Sequence, residues 1–306
     1  MKQDAIVYEP ASERSTSHSK YGDVMTLAKP RLNALVVATT AGGFYMASQT
    51  PLDMGTLALT CIGTALVASG ASAANQVYER DTDAMMARTR NRPMAASRMS
   101  VVEGLLFAAL MAGAGLALLA TFTTEAATWV AIATLVSYVV IYTPLKRLTS
   151  FSTVIGAVPG ALPPLIGWAA VRNSVSGIEP WSLFLIMFFW QLPHFLAIAW
   201  MYREDYARAR MPMISVVDPN GGFTGRQSVL WAASLVPFSQ LPFLVGMAGV
   251  TYAVGALVLG LAQLALAIRF ARHRSIANAR TLFFASIIYL PLLWTLMVVG
   301  RHTIPW

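Results

Sequence analysis

Asn75-Gln76-Val77-Tyr78-Glu79-Arg80-Asp81-Thr82-Asp83-Ala84-Met85-Met86-Ala87-Arg88-Thr89-Arg90-Asn91-Arg92-Pro93 follows directly on a long apolar run, and it crowds three carboxylates and four arginines into a few turns of chain. Asn75, Glu79 and Asp83 are spaced four apart. On a helix each such step advances by about 40°, so their oxygen-bearing side chains form one slowly drifting stripe. Asp81 falls about 200° from Glu79 and points away from that stripe. Three hard oxygen ligands on one face suit a magnesium ion bound to a phosphate-bearing substrate. The guanidinium groups suit the phosphate oxygens. The same residues would also serve in a solvated, salt-bridged loop; their place at the mouth of an apolar helix favours a site.

The surrounding chain decides the class. Of 306 residues 56% are hydrophobic and only 12% charged, where soluble domains carry about a quarter charged. Mean hydropathy is +0.58. An all-α polytopic membrane protein is expected. The single cysteine, Cys61, lies in an apolar run, which excludes a disulfide framework and a Cys-based metal site. Residues 1–23 are polar and mixed in charge, with no apolar h-region and too many acids for a transit peptide, and read as a cytosolic N-terminal tail.

Segments long enough to cross a bilayer fall at about 32–50, 54–75, 101–121, 124–143, 151–171, 181–202, 228–248, 251–269 and 281–300, which makes nine. With nine spans, 20 of the Lys and Arg residues lie on the N-terminal side and two, Arg172 and Arg301, on the other. The positive-inside rule then places the N-terminus in the cytoplasm. This bias accounts for the net charge of +8 without a nucleic-acid partner. Lys29 and Arg31 read as determinants of that topology. The long loops, about 76–100 and 203–227, open on the same side, each with acids at the end of a span. Residues 24–306 thus form one domain, with a pseudo-repeat at about 32–143 and 151–269 and an extra helix at about 281–300. Each half lends an acidic cluster to a shared mouth.

The second cluster, Tyr202-Arg203-Glu204-Asp205-Tyr206, reads as a snorkelling interface girdle or as the partner of the first. Lys146 and Arg147, ending the fourth span, are a topology signal or the cationic wall of a diphosphate site. His194 and Gln191 lie inside the sixth span beside Pro193, and polar groups there face the bundle interior or a cavity. His194 precedes Asp205 by 11 residues, about three helical turns on nearly the same face, with Pro193 a candidate kink. It either bonds a neighbouring helix or meets a polar or metal-bearing acceptor, for which imidazole suits iron. Gly156 to Trp168, rich in small residues and prolines, reads as a close-packed and broken span.

The Asn75-Gln-x-x-Glu79-x-x-x-Asp83 arrangement resembles the first aspartate-rich motif, N-D-x-x-D-x-x-x-D, of the UbiA superfamily of intramembrane prenyltransferases. Lys29-Pro30-Arg31, Arg88-Thr89-Arg90-Asn91-Arg92-Pro93, Tyr142 to Arg147, Gly160 to Trp168, Pro193-His194-Phe195 and Tyr202 to Tyr206 together resemble the branch that farnesylates heme. The resemblance implies nine transmembrane helices around a central cavity in a bacterial inner membrane, its mouth facing the cytoplasm. It implies Mg²⁺, farnesyl diphosphate as donor and heme B as acceptor, with a downstream heme A synthase or oxidase assembly proteins as partners. Asn75, Glu79, Asp83 and Asp205 fall on catalytic, metal-binding positions; Arg88, Arg92, Lys146, Arg147 and Arg203 on diphosphate-binding ones; His194 on a heme-binding one. Gln76 and Glu79 replace two of the first motif's aspartates, and Tyr202 and Tyr206 stand where the superfamily's second motif has its terminal ones. The rival readings are a UbiA-type enzyme acting on hydroxybenzoate or a quinone precursor, a transporter, and an assembly scaffold.

Overall fold

A computed structural model describes residues 19–49 and 51–302. Most of the expected tail therefore lies outside the described residues. The chain enters as helix α1, Lys20–Ala28, capped by the Ser19 hydroxyl, which accepts from the Gly22 N–H. Then follow α2 (Pro30–Ala47), α3 (Met54–Met85), α4 (Val101–Phe122) and α5 (Glu125–Val136), continued by a π-helical stretch, Ser137–Tyr142, and a last turn, α6 (Thr143–Leu145). The second half comprises α7 (Ser152–Ala161), α8 (Pro163–Arg172), α9 (Ile178–Met201), the short α10 (Arg203–Arg208) and α11 (Ile214–Val217), α12 (Gly222–Phe238), α13 (Leu241–Leu244), α14 (Val250–Arg272) and α15 (Ile276–Val299). The described residues contain no strand, only an isolated bridge between Ala248 and Arg301.

Among the described residues, seven helical stretches are long and apolar enough to cross a membrane. The expected spans at 32–50 and 228–248 fall on α2 and on α12 with α13, outside that set: α12 has 17 residues, and Arg31 and Asn33 dilute the hydropathy of α2. Outward faces carry Leu105, Leu106, Leu110, Val254, Val258, Ile288 and Leu292 in the open, the inverse of a water-soluble bundle and what lipid as solvent selects.

Two expectations about helix limits need correction. The loop expected from about 76 starts only after Met85; α3 runs through the acidic stripe to that residue, ~48 Å at 1.5 Å per residue, well beyond a ~30 Å hydrocarbon core. It persists because its polar side chains find partners on neighbouring segments. The phase relation from His194 to Asp205 also fails. Helix α9 runs unbroken through Pro193 but ends at Met201, where Tyr202 leaves helical geometry (φ −110°, ψ 22°), and Asp205 belongs to α10.

The fifth span breaks at Leu162, as its prolines predict, into α7 and α8. Helix α8 is pressed against α2 through glycines. A methyl group on Gly167 would land on the Thr40 carbonyl oxygen, and one on Gly43 on the Pro164 carbonyl oxygen. We expect Gly167→Ala to cost about 1–3 kcal/mol through forced separation of the helices. Gly113→Ala on α4, where a methyl meets nothing within 4 Å, should be neutral or slightly stabilising. Thermal unfolding midpoints in one detergent check the opposite signs.

Candidate active site

The long α3 carries its acidic stripe into a cavity of about 450 Å³ bounded by α2, α3, the π-helical stretch, α7, α8 and α9. Asn75, Glu79 and Asp83 line it on one side, as the four-residue spacing requires, and all three are buried. Asp81 is exposed and pairs with Arg80 at 3.4 Å. Gln76 turns the other way: its Nε2 donates to the Leu27 carbonyl at 3.0 Å and the Thr26 carbonyl at 3.3 Å. The residue that departs from the acidic motif thus ties down the end of α1.

Each member of the stripe meets a group brought by another segment. Asn75 Nδ2 donates to Thr143 Oγ1 at 3.2 Å, Lys146 Nζ to Glu79 Oε1 at 2.8 Å, and Arg92 Nη1 to Asp83 Oδ2 at 2.7 Å. The π-helical stretch makes the first two contacts possible. Its wider turn lets Tyr138 O accept both the Thr143 N–H and, at 2.8 Å, the Thr143 hydroxyl, while Tyr138 and Tyr142 line the cavity. Such insertions in helices concentrate at functional sites. A methyl on Gly156 would strike the Tyr142 ring, so that glycine gives the ring its place.

The electrostatics favour an anion. Four cations, Lys29, Arg88, Arg92 and Lys146, line the cavity against two carboxylates, Glu79 and Asp83. Lys29 joins α1 to α2 in a left-handed conformation (φ 50°, ψ 55°) that side chains rarely adopt. Burial, then the nearby charges of Arg92 and Lys146, push its ammonium down to about 7. Its reading as a topology signal missed this placement; a lysine before proline at a helix start was the available clue. Arg88 is held by neutral rings, its Cζ 5.0 Å from the Tyr202 centroid and its Nη2 3.4 Å from the Tyr206 hydroxyl. The tyrosines that replace the second motif's terminal aspartates therefore cradle an arginine.

Not every expected residue reaches the cavity wall. Asp205 lies beside it, accepting from the Ala87 N–H at 3.4 Å and paired with Arg208, so the second acidic cluster does meet the loop of the first. Burial opposes its charge, but Arg208 and the Ala87 and Arg88 N–H groups outweigh this and hold the carboxyl below its ordinary range. Arg147 donates to the Tyr78 carbonyl at 2.6 Å and stacks 4.7 Å from that ring. Arg203 donates to the Trp200 carbonyl at 3.1 Å and covers that indole. Neither arginine lines the cavity.

The cavity is also lined by the apolar Val36, Val67, Leu135, Ile166, Met187, Phe195 and Ile198, together with Trp190, Gln191 and His194. No group of three His, Cys, Asp or Glu stands ready for a metal among the described residues. Asp83 nevertheless leaves Oδ1 buried without a hydrogen-bond partner at the C-terminal end of the stripe. A buried carboxylate oxygen left open in this way fits a cation.

The UbiA prenyltransferase family profile matches residues 35–288. A protoheme IX farnesyltransferase of Solibacter usitatus is 42% identical over 288 residues, covering 91% of this chain and 98% of that one. One from Opitutus terrae is 42% identical over 291 residues, covering 95% and 98%. Among solved structures, a digeranylgeranylglyceryl phosphate synthase superposes with TM-score 0.75 at 14% identity, over 92% of this chain and 98% of that one. A UbiA homolog from Archaeoglobus fulgidus bound to GPP and Mg²⁺ superposes with TM-score 0.65 at 15% identity, over 90% and 99%.

Proposed function

From the premise that this chain belongs to the UbiA prenyltransferase family, we propose that it transfers the farnesyl group of farnesyl diphosphate to a vinyl group of heme B, giving heme O and diphosphate. It is a prenyltransferase and an integral membrane protein. The observation that carries the reading is the make-up of the cavity lining, which joins paired cations and carboxylates to apolar side chains and His194.

The diphosphate lies against the charged side chains and the farnesyl chain against the apolar ones. There Lys146, Arg92 and Arg88 would take the phosphate oxygens, while Asn75, Glu79 and Asp83, with Asp205 alongside, would hold Mg²⁺. When bound, Mg²⁺ supplies Lewis-acid neutralisation of the leaving diphosphate. Lys146 and Arg92 exchange a carboxylate for the anion, so their charge bears on the oxygen that takes up the electron pair as the allylic C–O bond breaks. Arg147 and Arg203 back this wall from outside. The apolar lining keeps water from the allylic carbon until the vinyl carbon has attacked. Water then supplies the hydroxyl, its proton leaving to solvent.

The charge bias of the loops supports nine spans, with α2 and α12 completing the set, and a cavity mouth facing the cytoplasm in a bacterial inner membrane. A product of this kind passes to a heme A synthase or to oxidase assembly proteins. The first test is purified protein with heme B, farnesyl diphosphate and Mg²⁺. Mass spectrometry should find heme O, and EDTA should remove it. Farnesylation of a phenolic acid in place of heme would keep the reaction class and overturn the acceptor.

A further inference from the structure

His194 lines the cavity from α9, and the last helix holds it. Its Nδ1 lies 2.7 Å from Ser286 Oγ on α15. Ser286 is fully buried, and its hydroxyl stands 2.6 Å from the Phe283 carbonyl oxygen. Two oxygens approach that closely only with a proton between them, and a carbonyl has none to give. The Ser286 proton is therefore committed to Phe283, and the oxygen facing His194 can only accept. Nδ1 must carry the imidazole proton, which leaves the lone pair on Nε2. Among the described residues Nε2 makes no hydrogen bond and keeps accessible surface, and His194 is one of the residues that line the cavity.

The ring plane is held as firmly as its proton. Trp190 stacks on His194 with centroids 5.4 Å apart and Phe283 with centroids 4.8 Å apart, at interplanar angles of 25° and 28°. Trp190 is anchored by the same serine, donating from Nε1 to the Ser286 carbonyl at 2.7 Å. One residue of α15 thus fixes the tautomer of His194 and the position of the indole beside it.

We propose that Ser286 is a positioning residue that locks His194 as its Nδ1–H tautomer, with the Nε2 lone pair presented to the iron of the heme acceptor. This rests on the heme reading of the site. A ligating histidine whose other ring nitrogen donates a hydrogen bond is a more basic and better oriented ligand, and loss of such a partner typically costs 10–100-fold in affinity.

The tautomer is tested without heme. Ligand-free protein carrying ¹⁵N-labelled histidine should give an Nδ1–H imidazole signal that disappears in His194→Phe. Ser286→Ala should mix the tautomers, and Ser286→Thr should restore the wild-type signal. Heme B titration, followed by the Soret band, should show affinity falling about tenfold or more in Ser286→Ala and recovering in Ser286→Thr. An Nε2–H tautomer in the wild type overturns the proposal, as does an unchanged heme titration in Ser286→Ala when His194→Ala alters it. If His194→Ala leaves the heme spectrum untouched, iron ligation is what falls, while the ¹⁵N signal still decides the lock.

Discussion

Asp83→Asn should lower heme O formation by about 10²–10³-fold while the protein remains folded. The substitution keeps size and the capacity to accept hydrogen bonds but removes one charge. Asp83 is 1% exposed, with Oδ2 on Arg92 and Oδ1 free of any partner. In the empty site the variant loses one charge-assisted hydrogen bond, worth about 1.5–3 kcal/mol. In the reaction it loses a hard anionic ligand to Mg²⁺ where negative charge on the leaving group must be neutralised, an effect of about 3–4 kcal/mol on the barrier. Turnover should therefore fall far more than the unfolding midpoint does. Raising Mg²⁺ should recover part of the loss if affinity for the ion is what changed. Wild-type turnover in Asp83→Asn would remove the stripe from the chemistry.

Lys146→Met separates stability from catalysis at the other end of the same contact. Glu79 is 2% exposed and paired with Lys146 at 2.8 Å. Removing the ammonium leaves a buried carboxylate without its partner, which costs about 3–5 kcal/mol. The double variant Glu79→Gln/Lys146→Met removes both charges and should recover most of that stability. It should not recover activity, because in the proposed mechanism Lys146 also faces the diphosphate and Glu79 the metal. Turnover in Lys146→Met should drop by about 10²–10³-fold, and in the double variant by at least as much. Lys146→Arg should retain fold and part of the rate, since charge is kept while a point ammonium becomes a planar fork. Recovery of both stability and turnover in the double variant would show that the pair serves only the fold.

Much of this molecule was legible in the chain. The class follows from hydropathy alone, because a bilayer rewards apolar length regardless of tertiary detail. The stripe follows from helix periodicity, which is local, so Asn75, Glu79 and Asp83 share a face and Asp81 does not. The break in the fifth span follows from Pro163 and Pro164. Other features rest on contacts between distant segments. Spacing could not tell that α3 outruns the expected span, since its last turns are held by Leu27, Thr143, Lys146 and Arg92.

The π-helical stretch at Ser137–Tyr142 has no local signature; it is sustained by the neighbours that receive its tyrosines and Thr143. Lys29, Lys146, Arg147 and Arg203 look alike as basic residues at helix ends, yet the fold turns the first two into the cavity and the last two onto Tyr78 and Trp200. Ser286 was one hydroxyl in an apolar run until α15 met α9 and placed it against His194. Sequence alone determined what each segment buries and which residues share a helix face, because both are set within a few turns of chain. Which side chains meet was decided only by tertiary packing, because a charge or hydroxyl takes its role from a partner far along the chain, 92 positions for His194 and Ser286 and 118 for Arg88 and Tyr206.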